Sequence, residues 1–316
     1  MTHQAMGLMR IGTGGWAYFK VPGETSLKAY SSAFDFVEVN STYYEYPSLR
    51  AVSQWRRGVP EGFDFAVRCH KDIAKALGSE RGTSISLVVD RMEAICKTLH
   101  ASVLAVLVPR NRLGEKDLAA GLEVLLSTFN ASGTREAIEF RGKPPPESVL
   151  KVMERNDAVH CVDLSREQPR YDSDILYSRL FGKGRENIYE FDDGELRDIA
   201  AKSSAPKFEK SILALHGVRM YRDAARLKAY LKTGEFPMIT GQIGLDSLKE
   251  VLTEDTKFPA TKAELVSMQG WKIFDLNRTR RARAGNYLTK LPDRQYESLK
   301  SLVSYLQEQF PPDHLR

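Results

Sequence analysis

The chain has 316 residues, 42% hydrophobic and 28% charged, with a formal net charge of +5. That is the composition of a globular protein too long for one average domain and suited to a barrel plus an accessory unit. No apolar run reaches the ~18 residues of a membrane-spanning helix, so no membrane partner is expected. The mild positive charge permits a phosphate-rich partner without demanding one.

Eight short apolar, β-branched runs occur along the first 235 residues: Leu8–Thr13, Phe36–Asn40, Phe63–His70, Val103–Pro109, Glu136–Arg141, Val159–Leu164, Leu176–Gly182 and Ser211–His216. Between them lie stretches with helical spacing, among them Ile85–Leu99, Asp117–Phe129, Ser148–Arg155, Leu196–Ala201 and Ala224–Lys232. Strand–helix alternation repeated eight times predicts a parallel sheet closed into a (β/α)8 TIM barrel over residues 1–235. An open doubly wound sheet is the alternative. The glycines after the first run (Gly12, Gly14, Gly15) do not spell a dinucleotide fingerprint, however, and the bulky Trp16 stands where a helix should open.

Composition changes after Gly234, and residues 236–316 are expected to form a small helical C-terminal domain. Gly244–Thr253 has amphipathic spacing, and Thr261–Met268 begins with a Thr-x-x-Glu capping box at Thr261 and Glu264. An arginine-rich stretch follows (Arg278, Arg280, Arg281, Arg283), then a last helix from Gln295 to Gln309.

In a barrel the catalytic end lies at the C-terminal ends of the strands, and alternate residues point inward. Polar residues close six of these runs: Glu38 and Asn40, Arg68 and His70, Glu139 and Arg141, Asp163, Tyr177 and Arg179, and His216. Single polar strand ends are commonly loop residues meeting water. Six together, four of them in same-parity pairs, predict one shared pocket, because unpaired charge inside a barrel core is costly. Arginine forks suit phosphate or carboxylate, ionised carboxylates among arginines suit a base or a metal ligand, and histidine shuttles protons near neutrality. Catalytic roles fall to Glu38, His70, Glu139, Asp163 and His216. Substrate contacts fall to Asn40, Arg68, Arg141, Arg179 and Tyr177, with Trp16, Tyr43 and Tyr44 as stacking rings just beyond the first two strands. A divalent metal is a lesser alternative: the acids and histidines could hold one, but no HxH or HExxH spacing supports it and three arginines oppose it. Cofactors are otherwise unknown. The C-terminal arginines (Arg278, Arg280, Arg281, Arg283) read either as a contact for a nucleic-acid backbone or as a solvated turn.

Several of these segments resemble a known family. Gly12-Thr13-Gly14-Gly15-Trp16-Ala17-Tyr18, Val37-Glu38-Val39-Asn40-Ser41-Thr42-Tyr43-Tyr44, the run from Pro60 to Arg68, Glu139-Phe140-Arg141 and Tyr177-Ser178-Arg179 are similar to the YecE-like family, the domain of unknown function numbered seventy-two. The resemblance covers about residues 8–235 and implies a TIM barrel akin to the xylose-isomerase and endonuclease IV superfamily. It carries over Glu38, Asn40, Glu139, Arg141 and Arg179 by position, and an endonuclease-like role only by analogy. This chain departs from the family pattern at Gly142-Lys143-Pro144-Pro145-Pro146, at Ile73-Ala74-Lys75 and at His216. The tail, Phe258–Leu265 with Leu291–Tyr296, resembles a small domain of unknown function numbered 2795.

The leading expectation is therefore a phosphodiesterase acting on single-stranded or damaged nucleic acid, DNA or RNA. A barrel performing acid–base chemistry on a small phosphorylated sugar or carboxylate is the second reading, and a non-catalytic nucleic-acid-binding protein the third. The three cysteines (Cys69, Cys96, Cys161) form no CxxC pair. Met1–Arg10 has no basic head with an apolar core behind it, so a reducing cytoplasm is the expected compartment.

Overall fold

A computed structural model of the protein describes residues 7–77, 83–108 and 114–309. Its main sheet has eight parallel strands: β1 (Leu8–Thr13), β2 (Phe36–Val39), β3 (Asp64–Arg68), β4 (Val103–Val108), β5 (Arg135–Phe140), β6 (Val159–Cys161), β7 (Ile175–Leu180) and β8 (Lys210–Leu215). The order is β6-β5-β4-β3-β2-β1-β8-β7. A bridge between Val162 and Ser178 joins the two outer strands, and the Arg179 amide donates to the Val162 carbonyl at 3.2 Å. The expected TIM barrel is thus present and nearly closed, with each strand centred on the run expected for it. Most expected strands are a residue or two too long at the mouth, and Pro109 lies outside the described residues.

Period-two alternation fixes what fills the bore. Inward positions supply an apolar middle layer that includes Phe36, Ala66, Ala105, Ala137, Cys161, Tyr177 and Ile212. Below it, at the N-terminal ends of β3 and β8, Lys210 Nζ pairs with Asp64 Oδ2 at 2.6 Å. Ser102 ties the same two groups, donating to Asp64 and accepting from Lys210 at 2.6 Å. Two residues above the middle layer the same inward parity delivers Glu38, Arg68, Glu139 and Arg179 to the other end.

The helices are α1 (Ser26–Ala33), α2 (Leu49–Arg57), α3 (Ile73–Ala76), α4 (Thr83–Leu99), α5 (Glu115–Thr128), α6 (Glu147–Arg155), α7 (Asp193–Ser203) and α8 (Met220–Thr233). Burial of Val149, Leu150, Val152 and Met153 on one side of α6 shows the amphipathic logic. None of the helices among the described residues is long and apolar enough to cross a membrane.

The chain divides into two compact units, residues 1–180 with 201–216, and residues 181–200 with 217–316. The second unit thus starts within the expected barrel segment, ahead of Phe236. It contains α9 (Gly244–Thr253), β9 (Ala260–Thr261), α10 (Lys262–Gln269), β10 (Ile273–Asp275), β11 (Arg281–Arg283), α11 (Gly285–Leu288), β12 (Gln295–Tyr296) and α12 (Leu299–Gln309). It is not purely helical, as the sequence led us to expect: β10 pairs with β11 and β12 with β9, both antiparallel. The expected capping box is present, Thr261 accepting from the Glu264 amide and Glu264 from the Thr261 amide. A core of Leu248, Val251, Leu252, Phe274, Leu288 and Leu302 holds these short elements together.

Candidate active site at the barrel mouth

Arg179, on β7, is the hub of the mouth. Its Nε and Nη2 reach Glu38 of β2 at 2.8 and 3.0 Å, and its Nη1 pairs with Glu139 of β5. Tyr177, one inward step below Arg179, donates its hydroxyl to Glu38. His216, immediately after β8, brings Nε2 to 3.5 Å from the same carboxylate. Glu38 is fully buried, Arg179 is 2% exposed and Tyr177 is fully buried. Arg141 closes the set, with Nε 3.2 Å from Glu139 and a side chain half in solvent.

Burial opposes ionisation of Glu38, yet the Arg179 guanidinium outweighs it and holds the carboxyl well below the usual range. Glu139 is depressed in the same way, by Arg179 and Arg141 against burial. Burial works against the charge on Arg179, and Glu38 and Glu139 reverse that and raise it well above its ordinary value. Burial pushes His216 down, Glu38 only partly offsetting it, so the ring is neutral at pH 7. Tyr177 is raised by burial and by Glu38, and stays a hydrogen-bond donor.

Arg68, at the end of β3, is different. It is 7% exposed, and among the described residues no carboxylate lies within ion-pair distance of it. Its Nη1 donates to Asn40 Oδ1 at 2.7 Å, its guanidinium lies 3.7 Å over the Tyr43 ring, and its Nε is buried without a hydrogen-bond acceptor. Burial and the nearby guanidinium groups of Arg179 and Arg141 press its pKa down. It nevertheless stays charged, as arginine does in proteins. The β2–β3 corner is set by Thr42, whose buried hydroxyl lies 2.7 Å from the Val39 carbonyl and 2.6 Å from that of Arg68. Asn40 in turn donates to the Gly14 carbonyl at 3.2 Å, tying the β1 loop to the same corner.

The structure therefore gathers Glu38, Asn40, Arg68, Glu139, Arg141, Tyr177, Arg179 and His216. Glu38 and Tyr177 are sealed beneath the others, so they position neighbours and do not meet a ligand. Tyr43 lies under Arg68, with Tyr44 edge-on beside it at 5.1 Å. Trp16 packs against Trp55 at 5.5 Å. Two expected members turn elsewhere. His70 stacks on Tyr46 at 4.0 Å and accepts from the Asp72 amide, because β3 ends at Arg68 and the period-two rule stops there. Asp163 lies beyond the end of β6, where it accepts from the Ser165 amide and hydroxyl at 2.9 and 2.6 Å and lies 3.7 Å from Arg166. The sequence reading missed Thr42, and also Gly14: a Cβ there would stand 2.1 Å from His216 Nδ1, so only glycine admits the ring. A glycine facing a strand-end histidine carries no local signal, since the contact joins residues about 200 positions apart.

In the second unit, the four arginines divide. Arg281, 3% exposed in its side chain, pairs with Asp275 at 3.1 Å and with Asp193 at 3.2 Å. Arg283 reaches Glu195 at 2.8 Å and the Tyr189 hydroxyl at 2.8 Å. Arg281 is thereby enclosed among acids of its own unit, which corrects the expectation that it contacts a nucleic-acid backbone, whereas Arg283, paired in the same unit, keeps 24% of its side chain exposed. Arg278 and Arg280 are exposed.

The donor set does not fit a divalent metal. Every oxygen of Glu38 and Glu139 already faces a guanidinium, and among the described residues no group of three His, Cys, Asp or Glu side chains is arranged to hold a metal ion. What the arrangement offers is excess positive charge, a neutral imidazole and a buried carboxylate that orients both.

A parallel eight-stranded barrel with acids and guanidinium groups converging at the C-terminal strand ends belongs to the TIM-barrel class. Within that class the chain belongs to the DUF72 family, a family of proteins of unknown function, whose model matches residues 10–238. It is similar to a DUF72 family protein from Enterococcus faecalis V583 in two crystal structures. The first is 18% identical with a TM-score of 0.57, covering 73% of this chain and 99% of that one. The second is 17% identical with a TM-score of 0.57, covering 71% and 94%. A D-tagatose 3-epimerase-like protein is 15% identical with a TM-score of 0.49, covering 71% and 96%. Among curated proteins none is significantly similar. At these identities the likeness to solved structures speaks to the fold alone.

Proposed function

We propose that the barrel mouth is the active site of an acid–base enzyme whose substrate is a small molecule carrying a phosphate ester or carboxylate. The observation that carries this reading is Arg68, a buried guanidinium that has no carboxylate within ion-pair distance among the described residues, is offset by Glu38 only from further away, and keeps an unpartnered Nε–H. Desolvating a cation without a counter-ion is expensive, and an anionic ligand is what offsets it. Arg141, half-exposed on the opposite side of Glu139, is the second arm for that anion. His216, neutral and 3.5 Å from Glu38, is the proton-transfer group, with Glu38 orienting it and balancing the imidazolium as it forms.

The alternative, a phosphodiesterase on single-stranded nucleic acid, is favoured by the exposed Arg278 and Arg280 and by the exposed Tyr44 ring. It is weakened because Glu38 and Glu139 are locked to Arg179, leaving no metal seat among the described residues, and because Arg281 is enclosed by Asp193 and Asp275. A cytoplasmic location is part of the proposal, resting on three free, buried thiols.

The test is calorimetric titration of the full-length protein with inorganic phosphate and with phosphorylated and carboxylated sugars, followed by turnover assays with and without EDTA. Phosphate should bind wild type, bind Arg68→Gln at least tenfold more weakly, and bind equally well with chelator. Cleavage of oligonucleotides without any small-anion binding would reverse the order of the two readings.

A further inference from the structure

We infer that the ligand of the mouth is of mononucleotide size and kind: a phosphate joined through one sugar to a planar heterocycle, which stacks on Tyr44. The inference rests on the anion reading above and adds what lies beside the anion. Arg68, Tyr43 and Tyr44 form a continuous ladder. The guanidinium is 3.7 Å from the centre of the Tyr43 ring, and that ring is 5.1 Å from Tyr44 with the two planes at 86°.

Tyr43 is thereby occupied: its face carries the Arg68 cation and its side meets Tyr44. Tyr44 is not enclosed. It is 63% exposed and set almost perpendicular to Tyr43, so much of its ring is open to solvent.

The backbone around Tyr44 is not a loose loop end. Ser41–Tyr43 form a single 3-10 turn, the Tyr44 amide donates to the Ser41 carbonyl at 2.9 Å, and the Tyr43 carbonyl accepts from Lys71 at 3.0 Å. Thr42, buried between two carbonyls, pins the turn to β2 and β3. An exposed ring on a fixed turn is preorganised, so a stacking ligand loses little freedom of the protein on binding.

Arg68 and Tyr44 both pack on Tyr43, at 3.7 and 5.1 Å from its ring centre, and a single sugar is a short link between an anion at the first and a planar ring on the second. A phosphosugar without a ring would leave Tyr44 idle, and a long strand would need cations leading away from the mouth. Base-on-tyrosine stacking tolerates every base, so the contact selects for a planar ring and not for its identity.

The experiment compares AMP, UMP, ribose 5-phosphate and inorganic phosphate by calorimetric titration against wild type, Tyr44→Ala, Tyr44→Phe and Arg68→Lys. Each variant is first checked for an unchanged circular dichroism spectrum. AMP and UMP should bind wild type roughly tenfold or more tighter than ribose 5-phosphate. Tyr44→Ala should bring both nucleotides down to the ribose 5-phosphate level, Tyr44→Phe should restore them, and Arg68→Lys should weaken all four ligands together. Equal affinity of wild type for AMP and ribose 5-phosphate overturns the ring inference while leaving the anion site standing. Failure of all four ligands to bind overturns the anion reading itself. A single-stranded oligonucleotide that binds where AMP does not would replace the mononucleotide with a polymer.

Discussion

Replacing Glu38 with Gln removes one charge from the most enclosed part of the molecule while keeping its shape. Glu38 is fully buried and Arg179 2% exposed, and two of the hydrogen bonds of Arg179 end on Glu38. Breaking a buried pair from one side destabilises by about 3–5 kcal/mol, because the remaining charge is left uncompensated. Here Glu139 still holds one arm of Arg179, so the lower end, about 3 kcal/mol, applies. For a chain of this size that lowers the melting midpoint by about 6 °C at neutral pH. The effect depends on pH. Glu38 titrates lower in the folded protein than in the unfolded chain, so its stabilisation is complete above the unfolded value near pH ~4.3 and fades as pH falls through the folded one. Wild type and E38Q should therefore differ most at pH 7 and converge in acid. Thermal unfolding followed by far-ultraviolet circular dichroism across that range measures both. A variant that melts with wild type at pH 7 would refute the account of the mouth as a charge-locked network. A cycle with Arg179→Met should show strong non-additivity.

Three further expectations concern other groups. Burial raises Glu136 to about 7, so the folded state holds a proton that the unfolded chain releases near pH ~4.3, and stability declines as pH rises between those values; Glu136→Gln should raise the melting midpoint at pH 8 and change little at pH 5. His160, driven down to about 4 by burial and Arg170, should show no imidazole titration by NMR until well below pH 6, and the stability it contributes when neutral should be lost as pH falls from ~6.5 toward 4. In Gly14→Ala the new methyl would stand 2.1 Å from His216 Nδ1, so the ring must move: turnover should fall at least tenfold with phosphate affinity kept, and an unshifted His216 NMR signal would contradict the contact.

The barrel was legible because eight β-branched runs each had to lie in a buried parallel strand, and inward parity followed from them. Glu38, Glu139 and Arg179 sit inside their strands, where period two holds, and their convergence could be read in advance. Parity failed one or two residues later. Asn40 already has helical backbone angles yet still reaches Arg68, whereas His70 and Asp163 follow the turns that begin after Arg68 and Cys161. The pairing within the second unit was not legible. Arg281 and Arg283 alternate on β11, but the acids they meet at Asp193 and Glu195 lie about 90 residues earlier, so a cluster of positive charge read as exposed when two of its four members are ion-paired within the unit.

Arg179 stands on β7 and grips carboxylates on β2 and β5, so one side chain laces three staves of the cylinder together across its hollow. Architecture and reactivity are thereby the same object: any exchange at that hub loosens the cask as it alters the reagent. Retooling such a protein for a new substrate has to begin at the outlying loops, where Tyr44 and Arg141 can be traded without loosening the hoop.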